Sequence, residues 1–214
     1  MPIWLAFDAG SPVTSAAVAR DAEVIAASSG ESRTGPSLLQ HIETVRSQAG
    51  IPLGALDGIV VLSGPGSFTG IRVALATALG LRAALAVPVV ALSNLAALAL
   101  HAEPPDSPVV VALVDALRDE WFVQEFRRDG IQLVAIRSPL RTAAPDLAAP
   151  PGALVAIHQT QPVPAALAAL PVRRAQDLAA AVAAAASAGR LQHLLTAALD
   201  PLYLRAFTPR NPQV

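Results

Sequence analysis

The chain has 214 residues, a net charge of −1, no cysteine and no lysine, all fifteen cations being arginine. That length supports one large domain or two small ones with a real core, and the charge balance gives no electrostatic case for a direct grip on nucleic acid. The missing residue types exclude disulfides, thiolate metal sites, cysteine nucleophiles and the lysine of a phosphate-binding loop.

The opening MPIWLAFDAG lacks a basic start, and Asp8 breaks its apolar run, so a signal peptide is not expected. Residues 3–7 form an unbroken apolar run, as in a central strand covered on both faces. Residues 14–20 and 23–29 read as two further strands joined at Asp21-Ala22. Leu38, Ile42, Val45 and Ala49 then recur at helical spacing, and Gly50 closes the helix. A buried strand at 58–63 leads through a glycine-rich loop to a helix at 70–86. A strand at 88–93 and a helix at Asn94–Ala102 follow, with Ser93-Asn94 as the helix-start signal. Arg82 is the one charge between Val73 and Leu100, but Gly80 and Pro88 interrupt that stretch, which predicts buried helix, strand and helix rather than a membrane span. AEPPDSP, residues 102–108, reads as a linker.

The pattern then starts again. A strand at 109–114 ends at Asp115; segments 120–127 and 131–138 flank the hairpin signal Asp129-Gly130; a short strand occupies Leu154–His158. A weak helix at 165–170, an alanine-rich one at 175–188 and an extended tail at 200–207 complete the chain. Both halves open on a strand that ends in Asp and run on through a hairpin. This predicts a duplicated α/β fold, with one lobe at 1–102, a reduced second lobe at 103–214, and a tail from 200 that packs back on the first.

SGPGSFTGIR, residues 63–72, resembles a phosphate cradle, yet Gly66 and Gly70 enclose three residues where a Walker loop needs four. Gly64, Gly66 and Gly70 also miss the dinucleotide spacing. A strand-to-helix turn remains, with Pro65 stiffening it, Gly66 free to take an unusual φ, and Ser67 or Thr69 capping the helix. Asp8-Ala9-Gly10-Ser11, followed by Thr14-Ser15, admits two readings. It can hold a metal-bound water and a phosphate, or it is a strand-end turn in which Asp8 caps backbone amides and Gly10 takes a positive φ. Asp8, Gly10, Ser11, Ser15, Gly64 and Gly66 are therefore the candidates for a degenerate phosphate site. The second half has Leu117 and Arg118 where a tight phosphate loop wants glycine, so an efficient ATPase or kinase is not expected. His41, His101, His158 and His193 are scattered without metal spacing. No G-x-S-x-G elbow is present, and the few aromatics offer little for base stacking.

The helix GIRVALATALGLRAALA is apolar on every face, so both of its sides need cover. The sheet can cover one. Ala76, Gly80 and Ala84 form a small-residue stripe that admits a close helix, supplied either by the helix at 38–49 or by a partner. A partner bundle is the favoured reading, with Ile71, Arg72, Leu75, Ala76, Leu79, Gly80, Ala84, Leu38 and Ile42 as its candidate residues.

GPGSFTGIRVALATALGL resembles the signature of the bacterial TsaB (YeaZ) family. FDAGSPVTSAAVA, GIVVLS and VPVVALSNLAALA stand in the expected order, the match being dense over 3–102 and looser to about 207. The resemblance implies a two-lobed actin/hexokinase/heat-shock-chaperone-like (ASKHA), ribonuclease-H-like fold. It implies a cytoplasmic, non-catalytic paralogue of TsaD, the subunit that transfers threonylcarbamoyl to adenosine in tRNA. Such a subunit needs no cofactor, binds TsaD through a helical bundle, is joined by the small ATPase TsaE, meets tRNA only through the complex, and forms a homodimer when its partner is absent. Family members have been labelled endopeptidases; the missing H-x-x-x-H argues against that here. Two departures stand out: Thr34 where the family commonly has His, and Asp115-Ala116-Leu117 where it often has Asp-Ala-Arg. The alternative from another class is a weak ATP-binding or hydrolysing enzyme built on Asp8, Gly10, Ser11 and Gly66.

Overall fold

The structure, a computed structural model, describes residues 1–31, 37–102 and 109–202. Thr34, most of the expected linker and the tail beyond 202 lie outside the described residues. Strands β1 (Ile3–Asp8), β2 (Val13–Arg20), β3 (Glu23–Glu31), β4 (Gly58–Leu62) and β5 (Val89–Leu92) form one sheet in the order β3-β2-β1-β4-β5. The first three pair antiparallel, and β1, β4 and β5 run parallel. The turn at Asp21-Ala22 takes positive φ at both residues (49° and 70°), the tight hairpin geometry that matches strand twist.

Strands β6 (Val110–Leu117), β7 (Glu120–Asp129), β8 (Gln132–Ala135), β10 (Leu154–His158) and β11 (Val172–Ala175) form a second sheet, ordered β11-β10-β6-β7-β8, with β9 (Leu140–Ala143) also paired to β7. Read from its far edge, this sheet repeats the first: antiparallel β6-β7-β8, parallel β6-β10-β11. The duplication expected from the strand-Asp-hairpin repeat is thus present in the strand order. Two strands were not foreseen, β9 and β11. In β11, Val172-Arg173-Arg174-Ala175 carries two adjacent exposed arginines at a sheet edge, which hides its strand character from an apolar count and blunts the edge.

Helices α1 (Leu38–Ala49) and α2 (Phe68–Ala84) lie on the outer face of the first sheet. A capping box between Ser37 and Gln40 starts α1, and Gly50, left-handed at φ 64°, ends it. Helices α3 (Asn94–Ala102) and α4 (Ala179–Ser187) fill the layer between the sheets. They cross over: α3, from the first half, packs on β6, β10 and β11, while α4, from the second, packs on β1 and β2. The largest hydrophobic cluster among the described residues therefore draws on both halves, from Ala17 and Leu62 through Leu95 and Val182 to Phe126 and Ala156. Alanine-rich helices suit this layer, because short side chains let two sheets close on them without voids.

The outer face of the second sheet has no helix among the described residues. Short 3-10 turns at Ala144–Asp146 and Ala165–Leu167 cover Trp121, Val123 and Ile157 instead. The helix expected at 165–170 is that single turn, and the alanine-rich helix starts at Ala179 rather than 175, since β11 occupies the preceding residues. No helix among the described residues is long and apolar enough to cross a membrane.

Candidate functional site

The two glycine loops meet at the top of the first sheet. Asp8 ends β1, fully buried, and its Oδ1 accepts from the amides of Gly10 (2.8 Å) and Ser11 (3.4 Å) and from Asn94 Nδ2 (3.2 Å). Its Oδ2 has no hydrogen-bond partner among the described residues, nor has the Oγ of buried Ser15, which stands directly opposite in the β1–β2 register. Burial pushes the Asp8 carboxyl above its usual range, and the donors from Ser11, Gly10 and Asn94 pull it part of the way back.

The loop from Ser63 to Ser67 lies on this turn. The Ser67 amide donates to the Gly10 carbonyl (2.8 Å), and the Gly64 amide donates to Asn94 Oδ1 (2.7 Å). A Cβ at Gly66 would overlap the Gly10 carbonyl, and one at Gly70 would overlap that of Ala9. These glycines are therefore explained by the close approach of one loop to the other. The amides of Gly10, Ser11, Gly64 and Ser67, which a phosphate would recruit, already donate within the protein. Of the two readings of the Asp8 turn, the capping carboxylate is observed, but the left-handed residue is neither Gly10 nor Gly66. It is Gly64, at φ 105°.

Sequence reasoning took Asn94 only as a helix-start signal. The structure places it at the centre of the loop pair, 1% exposed, where its amide joins Asp8, Ser11 and Gly64. Its polar side chain at the start of an otherwise apolar helix was the one available signal.

The corresponding turn of the second lobe differs. Asp115 Oδ1 accepts from the Leu117 amide at 2.7 Å. Leu117, Arg118 and Asp119 then take φ of 63°, 60° and 59°, three consecutive left-handed residues with no glycine among them. A tight turn is thus built here without the residue that makes one easy, and Leu117 projects into solvent, 66% exposed. His158, at the end of β10, is buried; its Nε2 meets the Gln176 carbonyl (2.8 Å) and its Nδ1 meets Thr160 Oγ1 (2.9 Å), and burial lowers its pKa. Among the described residues, an open cleft of about 1690 Å³ between the lobes is bordered by Ser11, Gly66, Arg72, Leu117 and His158.

The second side of α2 is not covered by α1. The helix buries Ile71, Ala74, Leu75 and Ala78 on the sheet, but leaves Phe68 (48%), Val73 (45%) and Leu79 (43%) exposed, with Arg72, Ala76, Gly80 and Ala84 also open to solvent. Leu39 of α1 adds a further exposed apolar side chain. Four of the nine positions expected at a partner surface need correcting: Ile71, Leu75, Leu38 and Ile42 face the core, because the sheet takes the more apolar stripe of each helix. Arg72, Ala76, Leu79, Gly80 and Ala84 stay on the open side. Arg72 lies over the Phe68 ring, 3.8 Å from its centroid, and orders the first turn of that surface.

A model of the TsaD family, tRNA N6-adenosine threonylcarbamoyltransferase, matches residues 36–197, well over half of the chain. The chain is 34% identical over 96 residues to the tRNA threonylcarbamoyladenosine biosynthesis protein TsaB of Haemophilus influenzae, covering 44% of this chain and 41% of that protein. It is 29% identical over 93 residues to TsaB of Escherichia coli, covering 43% and 40%. The chain thus aligns with about two fifths of the length of the curated relatives it matches. Among solved structures, YeaZ from Pseudomonas aeruginosa superposes with a TM-score of 0.76 at 24% identity, covering 95% of this chain and all of that one. An uncharacterised protein with similarity to peptidase YeaZ superposes with a TM-score of 0.77, also at 24% identity. These likenesses, with the repeated strand order, show the two-lobed ASKHA-type fold.

Proposed function

We propose that this chain, which belongs to the TsaB (YeaZ) family, is a non-catalytic scaffold subunit in the biosynthesis of threonylcarbamoyladenosine in tRNA, working in the cytoplasm. Its partner is a TsaD-type transferase, with a TsaE-type ATPase joining the pair and tRNA met only through the complex. The observation that carries this reading is the uncovered apolar side of α2, from Phe68 to Ala84, on the outer face of the first lobe. Small residues Ala76, Gly80 and Ala84 let a second helix approach closely, and Phe68, Val73 and Leu79 supply area that gains free energy when water leaves. The same surface would pair two copies of the chain when the transferase is absent.

Light scattering on a size-exclusion column tests this directly. The chain mixed with the TsaD-type subunit of its own organism is expected to give a new stoichiometric species. Ala76→Glu is expected to abolish it, weakening association about a hundredfold or more, while the isolated protein melts within about 0.5 kcal/mol of wild type. An unchanged complex in the Ala76→Glu variant sinks the surface as placed here.

The enzyme alternative has one observation in its favour, the buried Asp8 carboxylate whose Oδ2 lacks a partner among the described residues. It requires Asp8→Ala to abolish function in a complementation assay. The scaffold reading expects Asp8→Ala to act only through stability.

A further inference from the structure

Asn94 has no assigned role in either reading, yet its side chain hydrogen-bonds to both loops, to Asp8 and Ser11 of one and to Gly64 of the other. We infer that Asn94 is the positioning residue that sets where α2 starts, and thereby where the partner surface sits; this rests on the scaffold reading.

The connection can be followed atom by atom. Asn94 Nδ2 donates to Asp8 Oδ1 (3.2 Å) and to Ser11 Oγ (3.1 Å), which holds the turn after β1. Its Oδ1 accepts from the Gly64 amide and its own amide donates to the Gly64 carbonyl, both at 2.7 Å, which holds the loop after β4. That loop then becomes α2 through Ser67, whose amide donates to the Gly10 carbonyl and whose Oγ accepts from the Gly70 amide. The first inward side chain of α2, Ile71, packs against both glycines: a Cβ on Gly10 or on Gly64 would press on the Ile71 side chain. One carboxamide thus fastens both loops on which the first turn of α2 rests. A carboxamide suits the place because it offers a donor to a carboxylate and an acceptor to an amide at once. Serine or alanine offers less, and aspartate offers no donor.

Ser93 separates this role from simple helix stability. Its Oγ caps α3 by accepting from the Ala96 amide (3.0 Å), and among the described residues no hydrogen bond joins that hydroxyl to the glycine loops. Ser93→Ala therefore weakens the same helix without unfastening the loops.

The test measures the affinity for the TsaD-type subunit by titration calorimetry, well below the melting temperature of each variant, and amide hydrogen exchange of residues 68–72 in the isolated protein. Asn94→Asp is expected to weaken association about tenfold and speed exchange in that segment, because two carboxylates then face each other and the donor to Asp8 is lost. Adding Asp8→Asn reverses the polarity of the pair and is expected to restore affinity to within about threefold of wild type. Ser93→Ala is expected to lower the melting temperature with affinity and exchange unchanged. Should Asn94→Asp fail to fold, the double variant against Asp8→Asn alone gives the same comparison. Wild-type affinity and wild-type exchange in folded Asn94→Asp, or equal losses in Ser93→Ala, overturn the inference. Absence of any complex with the wild-type chain overturns the scaffold reading instead, and the exchange data then decide whether Asn94 positions α2.

Discussion

The two sheets share one strand order but are finished in opposite ways. The first carries α1 and α2 on its outer face and joins its strand ends with glycine loops that close on each other. Among the described residues the second carries short 3-10 turns outside and no helix, and its matching turn forces three non-glycine residues into the left-handed region. Where strands supply the framework, the difference teaches that the connections decide use: the lobe with long helices has a surface to offer, and the lobe without them serves as a support whose face is already spent on α3.

The largest effect expected from this contrast concerns glycines. Gly70→Ala places a methyl into the Ala9 carbonyl and is expected to cost about 3 kcal/mol or more, since backbone must move. Gly130→Ala in the second lobe meets open space at φ 60°, and only the conformational cost of about 1 kcal/mol applies. Chemical denaturation of both measures the gap, and equal losses would break the claim that the first-lobe loops are sterically closed.

Next comes the strained turn. Arg118→Gly relieves one left-handed residue and is expected to stabilise the protein by about 1 kcal/mol, read from the denaturation midpoint. Leu117→Gly also removes an exposed apolar side chain, so any partner that uses this turn would show itself as lost affinity.

Gly80→Ala is a smaller change with two readouts. Nothing lies within 4 Å of a Cβ there, so the helix is expected to gain about 0.8 kcal/mol. In the complex the added methyl meets the approaching helix, and association is expected to weaken. A gain in both measurements would move the interface away from the Ala76-Gly80-Ala84 stripe.

The buried titratable groups are also expected to differ in the sign of their pH dependence, the weakest of these effects. The neutral ring of His158 is favoured in the fold, its pKa being below its ordinary 6.5. The unfolded chain takes up the proton first, so this contribution is complete above about pH 6.5 and is lost as pH falls toward the folded value. Burial likewise lowers the pKa of His41, which α1 turns toward Ser28 of β3, and its contribution runs the same way. Asp8 runs in the other direction. Its carboxyl is raised above 3.8, the folded state takes the proton first, and the stabilisation fades as pH rises through the folded value. Thermal melts between about pH 5 and about pH 8 should show His158→Gln flattening the acid side and Asp8→Asn raising stability near neutrality. A melting curve for Asp8→Asn that parallels wild type at every pH would show that Asp8 is not held against its preferred state.

Local pattern determined most of the framework. An unbroken apolar run marks β1 and β4, the tight turn at Asp21-Ala22 marks where β2 gives way to β3, and Gly50 marks the end of α1, because each depends on residues within a few positions of one another. The over-apolar composition of α2 was legible too, and it implied that two faces need cover. Which residues lie on which face was not: Ile71 and Leu75 went to the sheet and Ala76 and Gly80 to solvent, a choice made when the sheet claimed the larger side chains. Strand β11 was lost to sequence reading because its two arginines face water at an edge, and only the parallel partner β10 reveals it. The glycine loops show the limit most clearly. Their spacing excluded the familiar phosphate motifs, but the reason for Gly66 and Gly70 is the carbonyl of a turn some sixty residues earlier, and the pin between the loops is Asn94, on a helix that follows both. Close approach between distant segments is a property of packed backbones, and only the tertiary structure could bring those atoms together.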